Sequence, residues 1–286
     1  MIRFGPAGNS ASFYGQGYKS SVQMPAWLAD MGLNAYEYQC GKGVRIREGL
    51  ASQIGEEARR NGIFLSIHAP YYINMASDDA AKRDSSEGHI LKTLQAAKWM
   101  GAGRIVIHTG YCHGISREKA LHDAMDLFRK VIRDADEAGF GDIALCPEVL
   151  GKHNQLGSLD EILSMCRLDD RLIPTVDFGH LYARSLGALR TTEGFKAVLN
   201  EIEDALGYDR LRIIHSHFSR IEFTGGGEKR HRTLDETEYG PDFEPLAEAL
   251  YAKRAEPVVI CESREYMAED ALKLKHIYEK VSGGVQ

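Results

Sequence analysis

Short apolar runs recur along the chain, separated by segments of helical period. The runs are Ile2–Gly5, Ala35–Gln39, Phe64–Ala69, Arg104–Gly110, Asp142–Val149, Ile173–Gly179, Arg212–Ser219 and Pro257–Ser263. Their starts fall roughly 30–45 residues apart, the length of a strand–loop–helix–loop unit. Between them, Leu121, Met125, Phe128 and Ile132 recur at helical spacing among charged residues, as do Ile90, Leu94 and Ala97 one unit earlier. Gly32, Gly62, Gly101 and Gly139 each follow such a segment and precede a run, where a helix-terminating glycine belongs. The runs IVIH, DIALC and VVIC are apolar almost throughout, as parallel strands buried on both faces should be.

Eight such units in series predict an α/β fold, one (β/α)8 TIM barrel over residues 1–286. A doubly wound open sheet is the structural alternative. Gly225–Gly227 is expected to lie in a long, flexible loop after the seventh strand.

The strand ends add chemistry to this pattern. His68, His108, Glu148, Asp177, His180, His215 and Glu262 sit at or near the ends of successive runs. A barrel gathers the C-terminal ends of its strands at one mouth, so residues far apart in sequence would form one shell of nitrogen and oxygen donors. Such a shell suits Zn²⁺, with Mn²⁺ or Fe²⁺ as alternatives.

Composition narrows the class. The chain is 43% hydrophobic and 27% charged, values typical of globular proteins. No apolar stretch approaches the roughly 20 residues that span a bilayer, so no membrane partner is expected. MIRFGPAGNS lacks the apolar core of a signal peptide. The five cysteines form no C-x-x-C pair, which fits a reducing, cytoplasmic setting. Cys146 and Cys261 read as small core residues, and His113 and His153 as ordinary polar residues. A net charge of −6 argues against general coating of nucleic acid but leaves room for a local basic face. A monomer is expected.

At the strand ends the chain resembles the endonuclease IV family. The resemblance runs from Phe4 to about Glu265 and is carried by HAPYYINMAS from His68, IVIHTG to Gly110, CPEV around Glu148, VDFGH to His180, IIHSHFS around His215, the KRH of Lys229–His231, and ICES around Glu262. It implies a barrel that cleaves abasic-site duplex DNA on the 5′ side of the lesion, using up to three zinc ions. His68 and His108 would hold the first ion, and Glu148, the expected catalytic residue, would bridge it to a second. Asp177, His215 and Glu262 would complete that second site, with His180 and His231 at a third. By the same resemblance, a hydroxide bridging the first two ions attacks phosphorus.

One departure bears on the third ion. The family pattern has Asp-Arg-His where this chain has Lys229-Arg230-His231, and a lysine repels a cation. Glu228, one residue earlier, and His217, two residues past His215 on the same strand face, are the candidate replacements. If neither serves, the site holds two ions and Lys229 could meet the phosphate or the leaving oxygen. His108-Thr109-Gly110-Tyr111 and Glu148-Val149-Leu150 also differ from the family pattern, which suggests altered substrate contacts.

Tyr71 and Tyr72 follow His68 where the family inserts side chains into DNA, and an aromatic pair can stack in the gap of a missing base. Asn74 is expected to fix that loop. Lys42, Arg45 and Arg47 after the second strand, and Arg220, Lys229, Arg230 and Arg232 after the seventh, supply charge for a phosphate backbone. Two other functions share the barrel. A sugar isomerase or epimerase needs only Glu148, Asp177, His215 and Glu262, and a silent DNA- or metal-binding barrel needs no catalysis.

Overall fold

The first barrel strand, β1 (Arg3–Pro6), pairs in parallel with the last, and this closes the ring. The strands between are β2 (Ala35–Gln39), β3 (Phe64–His68), β4 (Arg104–Ile107), β5 (Ala144–Pro147), β6 (Thr175–Asp177) and β7 (His215–Phe218). A hairpin of β8 (Arg220–Thr224) and β9 (Gly227–Arg232) follows, and β10 (Val258–Cys261) completes the barrel. These features come from a computed structural model, which describes residues 1–112 and 114–283. His113 lies outside the described residues.

Two four-stranded parallel arcs, β2-β3-β4-β5 and β1-β10-β7-β6, form the wall. Parallel bridges join them, Ala7 to Glu37 on one side and Glu148 to Thr175 on the other. An open doubly wound sheet is therefore excluded. Among the described residues, no helix is long and apolar enough to cross a membrane.

Glycine ends the helices where the sequence places it. Gly32, Gly62, Gly101 and Gly139 all have positive φ, between 67° and 81°, a backbone state that costs other residues energy. Helix starts are equally local. Ser116 and Ser158 cap Arg117–Glu137 and Leu159–Cys166, the latter through a reciprocal capping box with Glu161. The core lies mainly between strands and helices. Ile90, Leu94 and Ala97 are buried as their spacing predicts, but Arg117–Glu137 buries Ala120, Ala124, Leu127, Phe128, Val131 and Ala135. Of the expected stripe on that helix only Phe128 is fully buried, while Leu121, Met125 and Ile132 lie at its margin.

The seventh unit departs most from expectation. Tyr208–Arg212 is a short helix, so β7 begins at His215, three residues later than the apolar run suggests. Gly225–Gly227 is no flexible loop either. Thr224 pairs with Gly227 across a two-residue turn, and the hairpin folds back over the barrel mouth.

Candidate metal centre

Side chains from non-adjacent strands meet inside this barrel, which shows which positions point inward. Ser66 on β3 and His215 on β7 both donate to Glu37 Oε2 on β2, at 2.8 and 2.9 Å. Alternation along each strand then sends His68, Glu148, Asp177, His217 and Glu262 to the C-terminal rim.

Glu148 sits at the centre, fully buried just past β5. Its Oε2 lies 2.9 Å from His108 Nε2 and 3.3 Å from His68 Nε2. Its Oε1 lies 3.1 Å from His217 Nδ1. One carboxylate thus faces two groups, His68–His108–Glu148 and Glu148–Asp177–His217–Glu262, whose donor atoms all lie within 4.8 Å of one another in each group. A third group, His180–Glu228–His231, adjoins them.

Electrostatics shows what these groups lack. The second group crowds three carboxylates around one imidazole. Burial pushes Asp177 up, and neighbouring Glu262 adds to that. Burial also acts on Glu148, but the His108 and His217 rings outweigh it and hold Glu148 well below the usual range. Glu262 falls to about 2, as His217 overcomes its burial. Asp177 Oδ1 accepts the His180 backbone N–H at 2.7 Å and so caps the helix Phe178–Arg184, while its buried Oδ2 has no hydrogen-bond partner. That Oδ2 lies 3.3 Å from His180 Nδ1 without hydrogen-bonding to it, and three carboxylates crowded into one buried group fit a cation, because buried charge is costly unless compensated. Donors of nitrogen and oxygen without thiolate fit Zn²⁺, Mn²⁺ or Fe²⁺.

The imidazoles are also aimed. His68 Nδ1 contacts Ala69 O at 2.7 Å, His180 Nδ1 contacts Val149 O at 2.9 Å, and His231 Nδ1 meets Ser219 Oγ at 2.9 Å. Each contact leaves Nε2 free to face the site, the usual division of labour in a metal-binding histidine.

Sequence expectations need correction at two places. His215 is not in the second group; His217 is. Because β7 starts at His215, that residue lies one inward step deeper and faces Glu37, while His217 reaches the rim. His217 accordingly belongs to the second group, not the third. Lys229, which a cation would repel, points away from the groups: it is exposed and paired with Glu222. Arg220 and Arg232 are likewise neutralised, by Asp242 and by Glu222 with Glu236. Glu228 takes the place beside His180 and His231.

That placement depends on close packing. Glu228 N–H donates to Gly151 O at 3.0 Å, holding the hairpin against the loop after β5. A Cβ on Gly151 would lie 2.4 Å from Glu228 Cβ and 2.7 Å from His180 Cδ2.

A cavity of about 290 Å³ opens over the three groups, lined also by Tyr71, Tyr111, Lys152 and Gln155. Tyr111 falls within the altered His108-Thr109-Gly110-Tyr111 segment, whereas Lys152 and Gln155 escape the motif-based reading. Tyr72 turns away from the cavity, edge-on to His89 with centroids 5.0 Å apart. Asn74 ties two loops together, its Oδ1 accepting from Tyr111 N at 3.1 Å. Lys42, Arg45 and Arg230 are exposed and make no ion pair among the described residues. Arg230 lines a second hollow, which shares His231 and Glu262 with the first.

Comparison with known proteins sets this geometry in context. The sequence profile described as "Xylose isomerase-like TIM barrel" matches residues 25–278. "Uncharacterized protein MJ0133" of Methanocaldococcus jannaschii is 32% identical over 254 residues, covering 89% of this chain and 90% of that one. "Probable endonuclease 4" of Methanoculleus marisnigri is 29% identical over 199 residues, covering 68% and 69%. A D-tagatose 3-epimerase-like protein of known structure superposes with a TM-score of 0.70 at 20% identity, over 89% of this chain and 91% of its own.

Proposed function

The chain belongs to the xylose isomerase-like TIM barrel family, and within it we propose a metal-dependent phosphodiesterase that hydrolyses the DNA backbone on the 5′ side of abasic sites. The observation that carries this proposal is the presence of three adjoining donor groups, two of them sharing Glu148. A sugar epimerase needs one such group. Cleavage of a phosphodiester places charge on attacking, non-bridging and leaving oxygens together, which favours several cations side by side. The relative named endonuclease 4 supports the same choice.

Divalent cations, two or three per chain and zinc by preference, would be held by these three groups and would supply Lewis-acid polarisation of phosphoryl oxygens and activation of water near neutral pH. The protein's part is placement. Glu148 turns one oxygen toward His68 and His108 and the other toward His217, which fixes the two groups relative to each other. Asp177 Oδ2, free of hydrogen bonds, points its charge into the second group. Tyr71 and Tyr111 wall the cavity and can fill the gap of a missing base, stacking on the bases that flank it. Arg230, Lys42 and Arg45 supply unpaired positive charge for flanking phosphates.

One observation favours a second function, a sugar isomerase or epimerase: Glu148, Asp177, His217 and Glu262 alone form a complete four-donor set. The deciding experiment incubates zinc-loaded protein with a labelled duplex carrying one synthetic abasic residue, and in parallel with ketoses. Incision leaving a 3′-hydroxyl, lost in Glu148→Gln, supports the phosphodiesterase. An intact duplex alongside epimerised ketose overturns it.

A further inference from the structure

We propose that Glu37, buried at the second strand beneath the rim, is a positioning residue that holds His217 with Nε2–H turned inward and the Nδ1 lone pair turned toward Glu148, Asp177 and Glu262. This rests on the second donor group being a cation site, and not on which substrate the protein takes.

The His217 ring spans two layers of the barrel. On the rim side its Nδ1 lies 3.1 Å from Glu148 Oε1 and 3.5 Å from Glu262 Oε2. On the inner side its Nε2 lies 3.1 Å from Glu37 Oε1. That inner approach is off the N–H axis, and Nε2 has no other acceptor. It therefore acts through the carboxylate's charge, 3.1 Å away, rather than through an aligned hydrogen bond. His68 and His231 lean instead on neutral oxygens, those of Ala69 and Ser219, while His180 Nδ1 contacts Val149 O at 2.9 Å and lies 3.3 Å from Asp177 Oδ2. His217 differs in that the carboxylate behind it, Glu37, lies outside the three rim groups.

A glutamate with no exposed surface in the middle of a barrel demands a reason, since an apolar residue would pack there at less cost. The surroundings are built to keep it. Ser66 Oγ donates to Oε2 at 2.8 Å, His215 Nε2 to Oε2 at 2.9 Å, and Gln39 Nε2 to Oε1 at 3.1 Å. These donors occupy the lone pairs that a cation of its own would need, although Glu37, His215 and His217 lie as close together as a ligand group would. His215 thus gains a role below the rim: it orients Glu37, which orients His217. Such carboxylate partners fix the tautomer of a metal-binding imidazole and raise its basicity, and losing one costs roughly 10–100-fold in metal affinity.

The test is Glu37→Gln in the full chain, with zinc affinity measured by competition against a chromophoric chelator and folding checked by circular dichroism. The expected result is zinc bound at unchanged stoichiometry but about 10–100-fold more weakly in one site. A folded variant with unchanged affinity overturns the proposal, as does outright loss of one ion, which would make Glu37 a ligand. Should the variant fail to fold, the wild-type protein decides. In zinc-loaded protein labelled with ¹⁵N-histidine, His217 should carry its proton on Nε2 and show a metal-bound Nδ1. The opposite assignment overturns the proposal. Neither readout involves a substrate, so failure of the phosphodiesterase proposal leaves this one standing.

Discussion

Glu228 and His231 lie three residues apart on one strand yet join His180 in one group, because Lys229 is bulged out between them. Opposite the bulge, Glu222 pairs with Arg230 and the next residue, Phe223, pairs with Glu228, leaving Lys229 without a partner. In a regular strand residues three apart face opposite sides, and one extra residue restores the match. A displaced acidic donor and a bulge together reproduce what Asp-x-His achieves in a regular strand.

Lys229→Asp should therefore leave metal content unchanged, because that side chain faces Glu222 and solvent. Glu228→Gln should lower it by one ion. Elemental analysis of the purified variants checks both. A rise in bound metal with Lys229→Asp would show that position 229 faces the site.

Gly151→Ala should push the hairpin off the mouth. Its Cβ would meet Glu228 and His180 well inside contact distance. Overpacking of this kind costs typically ~1–3 kcal/mol, so the thermal midpoint should fall and the third ion should be lost. Retention of full metal content at an unchanged midpoint would contradict the packing described.

The metal-free protein should lose stability as pH rises from about 6.5 to about 9. Burial pulls the His68 and His180 rings down, but facing carboxylates outweigh it and lift both to about 9. For His68 the main partner is Glu148, and for His180 it is Asp177. A base whose folded value exceeds its unfolded one contributes fully below the unfolded value, and that contribution fades through the folded value. Thermal unfolding in chelator across this window should show a falling midpoint, and a flat or rising midpoint would contradict it. Zinc competes with the same protons, so its affinity should strengthen over the same range.

Arg230→Ala and Lys42→Ala should each weaken duplex binding with little dependence on sequence. Each removes one exposed cation that has no ion-pair partner among the described residues. The slope of log affinity against log salt should become shallower by about 1 for each phosphate left without its cation. Lys229→Ala, already neutralised by Glu222, should barely change the slope. An unchanged slope in all three would remove the basic rim from the DNA-binding surface.

Much of the barrel is legible in sequence because parallel strands buried on both faces leave continuous apolar runs, and helix ends leave glycines such as Gly101 and Gly139. The spots where sequence misleads are matters of register. His215 and His217 share a strand face, and only the extent of the helix Tyr208–Arg212 decides which one reaches the rim. Glu37 sits between Tyr36 and Tyr38, where a lone acid looks like a solvated strand position, and nothing local reveals that its face is the barrel interior. The hairpin did carry a signal. Two strand-like segments flank Gly225-Gly226, the spacing of a tight two-residue turn. The bulge at Lys229 left none, since it depends on how β8 and β9 pair.

Anomalous scattering from a crystal of the zinc-loaded protein tests the shared-carboxylate centre most directly. The predicted result is three peaks: one at His68–His108–Glu148, one at Glu148–Asp177–His217–Glu262 and one at His180–Glu228–His231. A single peak confined to the four-donor group, with the other histidines bare, would contradict it and return the barrel to the one-cation chemistry of a sugar epimerase.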